Sequence, residues 1–268
     1  MDAVVSGFDV NMIEVDGQLL QVGVRHGLKT RPPLLLFNGI GASWKMAKPF
    51  LDALQHGEAI IFDIPGVGGS PAPLLPYRPS TIASLSVRLV EKLGYDQIDV
   101  AGVSWGGVMA QQFAHQHPAV CRKVVLAATS PGALMIPGRP SVLWKLATPR
   151  RYFDKDFMRR IAPEIYGGDL RKDPELVAAY TTAGTTDLGY LYQLLAIAGW
   201  TSLPWLWSVK QPALVLSGSD DPIVPLINGH ILTRLLPNAR LEIVDDGHLF
   251  LLTRPKQTAA MIEKFLNE

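Results

Sequence analysis

The chain has 268 residues, 48% of them hydrophobic, and its 25 basic and 24 acidic side chains leave a formal net charge of +1. That balance gives no field to draw nucleic acid or acidic lipid, and the length suits one sizeable domain with room for an inserted subdomain. The single cysteine, Cys121, excludes an internal disulfide framework, fits a reducing compartment and reads as a small buried hydrophobe.

The first seven residues, Met1 to Gly7, hold no basic segment followed by a long apolar core, so no secretory signal is expected and the expected location is cytoplasmic. Phe8 to Glu14 and Leu19 to Arg25 flank Val15-Asp16-Gly17-Gln18, an Asp-Gly turn that predicts an antiparallel hairpin. Short, largely apolar runs follow at Leu34 to Phe37, Ala59 to Phe62, Ile98 to Ala101, Val124 to Ala127, Ala213 to Leu216 and Leu241 to Val244. Such runs suit a parallel sheet covered on both faces. Helical periodicity occupies Ser80 to Leu93, Val108 to His117 and Pro255 to Leu266, and His230 is expected to start a surface helix. The alternation predicts a doubly wound α/β sheet opened by a hairpin.

It fails between Ser130 and Gln211, where roughly eighty residues separate two consecutive core strands, far more than a crossover needs. This predicts a core of residues 1–131 and 212–268 and a helical cap inserted at 132–211. Trp144, Trp200, Trp205 and Trp207 fall in the insertion, with Tyr152, Phe153, Phe157, Tyr166, Tyr190 and Tyr192. Over the carboxyl ends of the strands these aromatics would wall an apolar pocket; the alternative is that they pack the insertion itself. Leu188 to Val209 carries no charge, but Gln193, Gly199, Thr201, Ser202 and Pro204 interrupt it, which argues against a membrane span.

The chemistry centres on Gly102-Val103-Ser104-Trp105-Gly106-Gly107, where an apolar run gives way to a helical pattern. Glycines beside the serine let a tight strand-to-helix turn hold the hydroxyl out from the sheet edge, above the positive end of the helix dipole. A neutral hydroxyl is a poor nucleophile and needs a base and an orienting acid. His115 and His117 lie on the helix leaving the turn and point away. His248, in Asp245-Asp246-Gly247-His248-Leu249, follows the last core strand and is the expected base. The loop Ala128-Thr129-Ser130-Pro131-Gly132 has no carboxylate. The loop after Leu216, by contrast, reads Ser217-Gly218-Ser219-Asp220-Asp221-Pro222, so Asp220 or Asp221 orients the histidine, and spacing does not choose between them. The oxyanion of acyl transfer requires two N–H donors, expected from Trp105 and from Ile40 in Asn38-Gly39-Ile40-Gly41-Ala42. Asn38, Gly39, Trp200 and Trp205 are the expected substrate contacts.

The whole chain resembles the α/β-hydrolase superfamily, and within it the intracellular depolymerases of medium-chain-length polyhydroxyalkanoates. The resemblance is carried by Phe37 to Ala42, Phe62-Asp63-Ile64-Pro65-Gly66-Val67-Gly68-Gly69-Ser70, Gly102 to Gly107 and Asp245 to Leu251. More specific matches lie in the insertion, at Pro149-Arg150-Arg151-Tyr152, Ile161-Ala162-Pro163-Glu164-Ile165-Tyr166-Gly167-Gly168 and Gly199-Trp200-Thr201-Ser202. The family's catalytic acid matches Asp221, and Asn38 fits the family pattern.

The resemblance implies cleavage of ester bonds in stored poly(3-hydroxyalkanoate) through an acyl-enzyme on Ser104, with no metal or organic cofactor. The partner implied is a hydrophobic polyester granule or an acyl ester, with granule association in the cytoplasm and Leu188 to Val209 as the contact. A soluble carboxylesterase or thioesterase, a C–C bond hydrolase of the same fold and a non-catalytic granule-binding protein are the alternatives. Dehalogenases and epoxide hydrolases, which place Asp at the turn, are argued against by Ser104.

Overall fold

The computed structural model describes residues 7–148, 154–172 and 187–268. Eight strands form one sheet: β1 (Phe8–Val15), β2 (Gln18–Arg25), β3 (Leu34–Phe37), β4 (Ala59–Phe62), β5 (Ile98–Val103), β6 (Cys121–Ala127), β7 (Ala213–Gly218) and β8 (Ala239–Val244). Their order is β1-β2-β4-β3-β5-β6-β7-β8. The first two strands form the expected hairpin, with Val15 paired to Gln18 across the Asp-Gly turn, and β2 runs antiparallel to β4. From β4 to β8 all pairings are parallel. The fully buried runs Leu34–Phe37 and Ala59–Phe62 show why: apolar side chains on both strand faces must be covered from both sides.

The covering helices are α1 (Trp44–Ala53), α2 (Pro79–Lys92), α3 (Trp105–Gln116), α7 (Ile227–Leu235), α8 (Phe250–Thr253) and α9 (Pro255–Asn267). One core face gathers Val87, Val90, Met109, Phe113 and Val215 beneath α2 and α3. The other gathers Phe50, Leu51, Leu216, Ile262 and Phe265 beneath α1 and α9. Helix α3 starts three residues before the periodicity suggests, because Trp105, Gly106 and Gly107 are small or packed inward rather than amphipathic. Helix α7 starts at Ile227, ahead of His230, which is exposed on it. Helix α1 contains Pro49, and a proline inside an apolar pattern conceals a helix from periodicity.

The excursion between β6 and β7 carries α4 (Pro140–Ala147), α5 (Lys155–Tyr166), a 3₁₀ turn (Gly168–Arg171), α6 (Asp187–Ile197) and a second 3₁₀ turn (Leu206–Ser208). Val142, Met158, Ile161, Ala162, Ile165 and Leu170 form a small core of its own, against which Ile223 and Leu249 also pack. The expectations on Pro149, Arg150, Arg151, Tyr152 and Phe153 lie outside the described residues. Among the described residues no helix is long and apolar enough to cross a membrane.

Candidate active site

Strands β5, β7 and β8 run parallel, so the loops that follow them open at one edge of the sheet. Ser104 follows β5, Asp221 lies just past β7, and His248 lies just past β8. Ser104 has φ 53° and ψ −116°, a conformation that strains a residue with a β-carbon by roughly 1–3 kcal/mol. The surroundings hold it there. Its N–H donates to the Ala127 carbonyl at 2.9 Å, and its own carbonyl accepts from Gly107 N at 2.9 Å and Thr129 Oγ1 at 2.7 Å. A β-carbon on Gly106 would overlap the Phe37 carbonyl, so only glycine there lets α3 start this close to β3. Trp105 is the first residue of α3, and its amide is one of the N–H groups a helix start leaves without an intrahelical partner.

His248 is 4% exposed, and its Nδ1 lies 2.7 Å from Asp221 Oδ2. Asp221 Oδ1 accepts from the Ile223 and Val224 amides, both at 2.9 Å. These two bonds orient the buried carboxylate, which in turn accepts a hydrogen bond from Nδ1–H and so leaves the Nε2 lone pair free to act as base. Asp220 turns the other way. Its carboxylate accepts from the Arg171 guanidinium and from Gly168 N, the latter at 2.9 Å, and the Arg171 bond above all holds it below the usual carboxylate range. The adjacent aspartates that spacing left open are therefore divided, one to the histidine and one to the excursion. Ser104 reaches the same sheet edge but makes no direct hydrogen bond to His248 in the structure.

The excursion seats itself on both loops. The His248 amide donates to the Tyr166 carbonyl at 2.7 Å, and the two rings lie parallel to within 14°, their centroids 6.4 Å apart. Asp246, two residues before the histidine, is buried; its Oδ1 accepts from Asp169 N at 2.7 Å and Gly247 N at 2.6 Å, and its Oδ2 from Thr253 Oγ1. Arg254 Nη2 lies 3.0 Å from Asp169 Oδ2. Asp246 and Tyr166-Gly167-Gly168 both fall in segments that carry the family resemblance, but the resemblance gave them no part in seating the excursion on the histidine loop.

On the other side of Ser104, a β-carbon on Gly39 would stand 3.9 Å from Ser104 Cβ, so the loop after β3 passes directly over the serine. Ile40, the expected second donor, is half-buried in this loop. Asn38 commits its side chain to the loop itself: Oδ1 accepts from Gly39 N at 3.0 Å and Nδ2 donates to the Ser43 carbonyl at 2.8 Å.

Trp200 and Trp205 lie between the excursion and α3. Trp200 Nε1 donates to Gln112 Oε1 at 2.9 Å, Trp205 stacks on His115 with centroids 4.2 Å apart, and the two indoles meet edge-on at 5.8 Å. Gln112 and His115 lie eight and eleven residues along the chain from Ser104, roughly 12 and 16 Å at a helical rise of about 1.5 Å per residue. Both indoles serve the seam between the excursion and α3, where a flat apolar ring fills space between helices as well as it would line a pocket.

A family model described as the alpha/beta hydrolase fold matches residues 32–255. The poly(3-hydroxyalkanoate) depolymerase of Ectopseudomonas oleovorans is 51% identical over 259 residues, covering 96% of this chain and 92% of that protein. The pimeloyl-[acyl-carrier protein] methyl ester esterase of Aromatoleum aromaticum is 30% identical over 253 residues, covering 87% of this chain and 97% of that protein. Among solved structures, the enol-lactonase from Burkholderia xenovorans superposes with a TM-score of 0.82 at 24% identity, covering 96% of this chain and all of the other. With a family model matching residues 32–255 and a relative at 51% identity, the chain belongs to the α/β-hydrolase fold family and is a homologue of poly(3-hydroxyalkanoate) depolymerase.

Proposed function

We propose that this chain is a serine hydrolase cleaving ester bonds of intracellular poly(3-hydroxyalkanoate), with residues 132–211 acting as a cap on a core of 1–131 and 212–268. The observation that carries the substrate is the 51% identity, over nearly the full length of both chains, with a depolymerase of that polyester. The chemistry rests on the His248–Asp221 contact at the sheet edge that also presents the strained Ser104. Ser104 Oγ attacks the ester carbonyl carbon while His248 Nε2 takes its proton. Asp221 steadies the imidazolium that forms. The carbonyl oxygen, now an oxyanion, is met by the amides of Ile40 and Trp105; losing one such donor typically costs about 2.7–4 kcal/mol in the transition state. His248 returns the proton to the departing alcohol end of the polymer, leaving a 3-hydroxyacyl ester on Ser104. Water, deprotonated by His248, then releases the 3-hydroxy acid or oligomer.

Helix α6 supports a water-insoluble substrate. It turns Leu188, Leu191, Leu194 and Leu195 outward, each 42–49% exposed, while burying Tyr192 and Ala196. An apolar face of that kind suits contact with a granule in the cytoplasm. The deciding experiment compares release of 3-hydroxy acids from native granules with hydrolysis of short p-nitrophenyl esters. Granule hydrolysis is expected, and it falls when Leu191 and Leu195 become serine while p-nitrophenyl ester turnover holds. Efficient turnover of small esters with inert granules supports the soluble esterase reading instead, which the 30% identity to a methyl ester esterase favours.

A further inference from the structure

Gln193 is a polar residue in the otherwise apolar middle of α6, and it is fully buried. Its polar groups are used unequally. The backbone carbonyl accepts the Trp105 indole N–H at 2.9 Å, and the side-chain Oε1 accepts the Gly41 amide at 2.7 Å. The Nε2 amide has no hydrogen-bond partner among the described residues. Burying an amide nitrogen without an acceptor is destabilising, and a leucine or methionine would fill the same space without that penalty. Gly41 donates, so the oxygen of the amide must face it, and the acceptor is what the position uses.

The two groups that Gln193 grips belong to the two halves of the expected oxyanion hole. Trp105 carries one donor amide, and Gly41 is bonded directly to Ile40, which carries the other. The halves come from separate segments, the loop after β3 and the start of α3, and the Gly39-Ile40-Gly41 stretch is flexible by composition. Gly41 sits at φ 70°, a left-handed conformation that glycine enters without strain. Asn38 braces the start of this loop, through Gly39 N and the Ser43 carbonyl, and Gln193 braces its middle. Preorganised donors are effective because they need no reorganisation as charge develops, so a loop that drifts loses transition-state stabilisation while ground-state binding is retained.

We propose that Gln193 is a positioning residue that ties the oxyanion-hole loop and the start of α3 to α6, so that the insertion sets the geometry of the two donor amides. The inference rests on the proposed Ser104 chemistry and goes beyond it by giving a residue of the insertion a part in the chemical step. If Gln193 merely packs α6 on the core, its loss should destabilise the protein or raise KM without touching the transition state selectively.

The test uses Gln193→Met, close in shape but without the acceptor, in the full chain with a short p-nitrophenyl ester. It reads kcat, KM and the affinity of an alkyl trifluoromethyl ketone, which adds to a serine as a tetrahedral oxyanion. We expect kcat and ketone affinity to fall together, by about 10²-fold, with KM within about two-fold of wild type. Unchanged kcat and ketone affinity, or a rise in KM alone, overturns the proposal. If Gln193→Met does not fold, Gln193→Leu, which also lacks the acceptor, takes its place, and the same paired fall or its absence decides. Ser104→Ala run alongside separates the two readings. Turnover retained in Ser104→Ala defeats the serine mechanism, whereas an inactive Ser104→Ala beside an unaffected Gln193→Met defeats only the role of Gln193.

Discussion

Gly168→Ala is the sharpest perturbation of the contact between the excursion and the histidine loop. Gly168 has φ 56°, and a β-carbon there would overlap both Asp246 Oδ1 and the backbone nitrogen of Gly247, the residue before His248. The left-handed conformation alone costs an alanine about 1–2 kcal/mol. The overlap adds more. A methyl carbon sits about 3.5–4 Å from its neighbours, so the turn must lift by on the order of 1 Å. Lifting breaks the hydrogen bond from Asp169 N to the buried Asp246 carboxylate, a charge-assisted bond in the range of about 1.5–3 kcal/mol. The bond from Gly168 N to Asp220 is partly open to solvent and is left out of the sum, which comes to about 2.5–5 kcal/mol. At about 2–4 °C per kcal/mol for a chain approaching this size, the melting temperature should fall by roughly 5–20 °C. His248 N is bonded to the Tyr166 carbonyl in the same turn, and a displacement of about 1 Å at the base can lower kcat by up to about 10²-fold. Gly94→Ala is the control, because its φ of 84° is comparably left-handed but nothing lies within 4 Å of the new carbon. Thermal melts and p-nitrophenyl ester turnover of the two variants measure the difference. A Gly168→Ala protein that melts with the Gly94→Ala control and keeps kcat within two-fold refutes the reasoning.

Replacing Ser104 by alanine should lower kcat by about 10⁶-fold, as removal of the nucleophile does in a comparable serine hydrolase, and measurable burst labelling by a fluorophosphonate should vanish with it. Asp221→Asn keeps the shape of the site but stops the carboxylate from selecting the Nδ1 tautomer, and a loss of about 10⁴-fold in kcat is expected; a loss under ten-fold sets aside the pairing seen with His248. Asp220 is held below the ordinary carboxylate value of 3.8 chiefly by Arg171, so its folded form binds a proton less readily than its unfolded form. Its stabilisation is therefore present above that value and is lost as pH falls through the lower, folded one. Asp220→Asn should lower the melting temperature slightly at neutral pH, with the difference from wild type closing below about pH 4. Asp220 is 35% exposed and Arg171 45%, so the effect stays below about 1 kcal/mol and shrinks further in high salt.

The sheet was readable because its strands are buried on both faces, and a run such as Ala59–Phe62 has no solvent side to introduce polar residues. The strand-to-helix turn at Ser104 was readable because strain and close approach admit so few residue types. Asp220 and Asp221 were indistinguishable for the opposite reason: both carboxylates sit beside Pro222 in one turn, and what separates them is the direction each side chain takes once Ile223 N and Val224 N have captured one of them. Trp200 and Trp205 show where composition stops being informative. An aromatic stripe is equally what a pocket wall and a helix seam require, and the partners Gln112 and His115 are visible only in the fold. Gln193 read as nothing more than an interruption in an apolar stretch, because its partners, Gly41 and Trp105, are backbone and indole N–H groups more than eighty positions away in the chain. Long-range contacts to N–H groups leave no periodicity behind.

These contacts bear on what the excursion between β6 and β7 is for. A lid that only shaded the site would rest on the rims of the loops with exposed, exchangeable side chains. Here the carboxylate one residue before Asp221 and the carboxylate two residues before His248 both accept backbone N–H groups from the same 3₁₀ turn, while Tyr166 holds the histidine amide. Asp246 is buried, so releasing the turn takes a backbone donor from a carboxylate that water does not reach, leaving it Gly247 N, Thr253 and Arg254. Opening by a hinge at this turn is therefore expensive. Substituting the Tyr166-to-Asp169 turn should accordingly disturb the acid–base pair, whereas substituting the exposed leucines of α6 should change which substrates arrive and leave the pair intact.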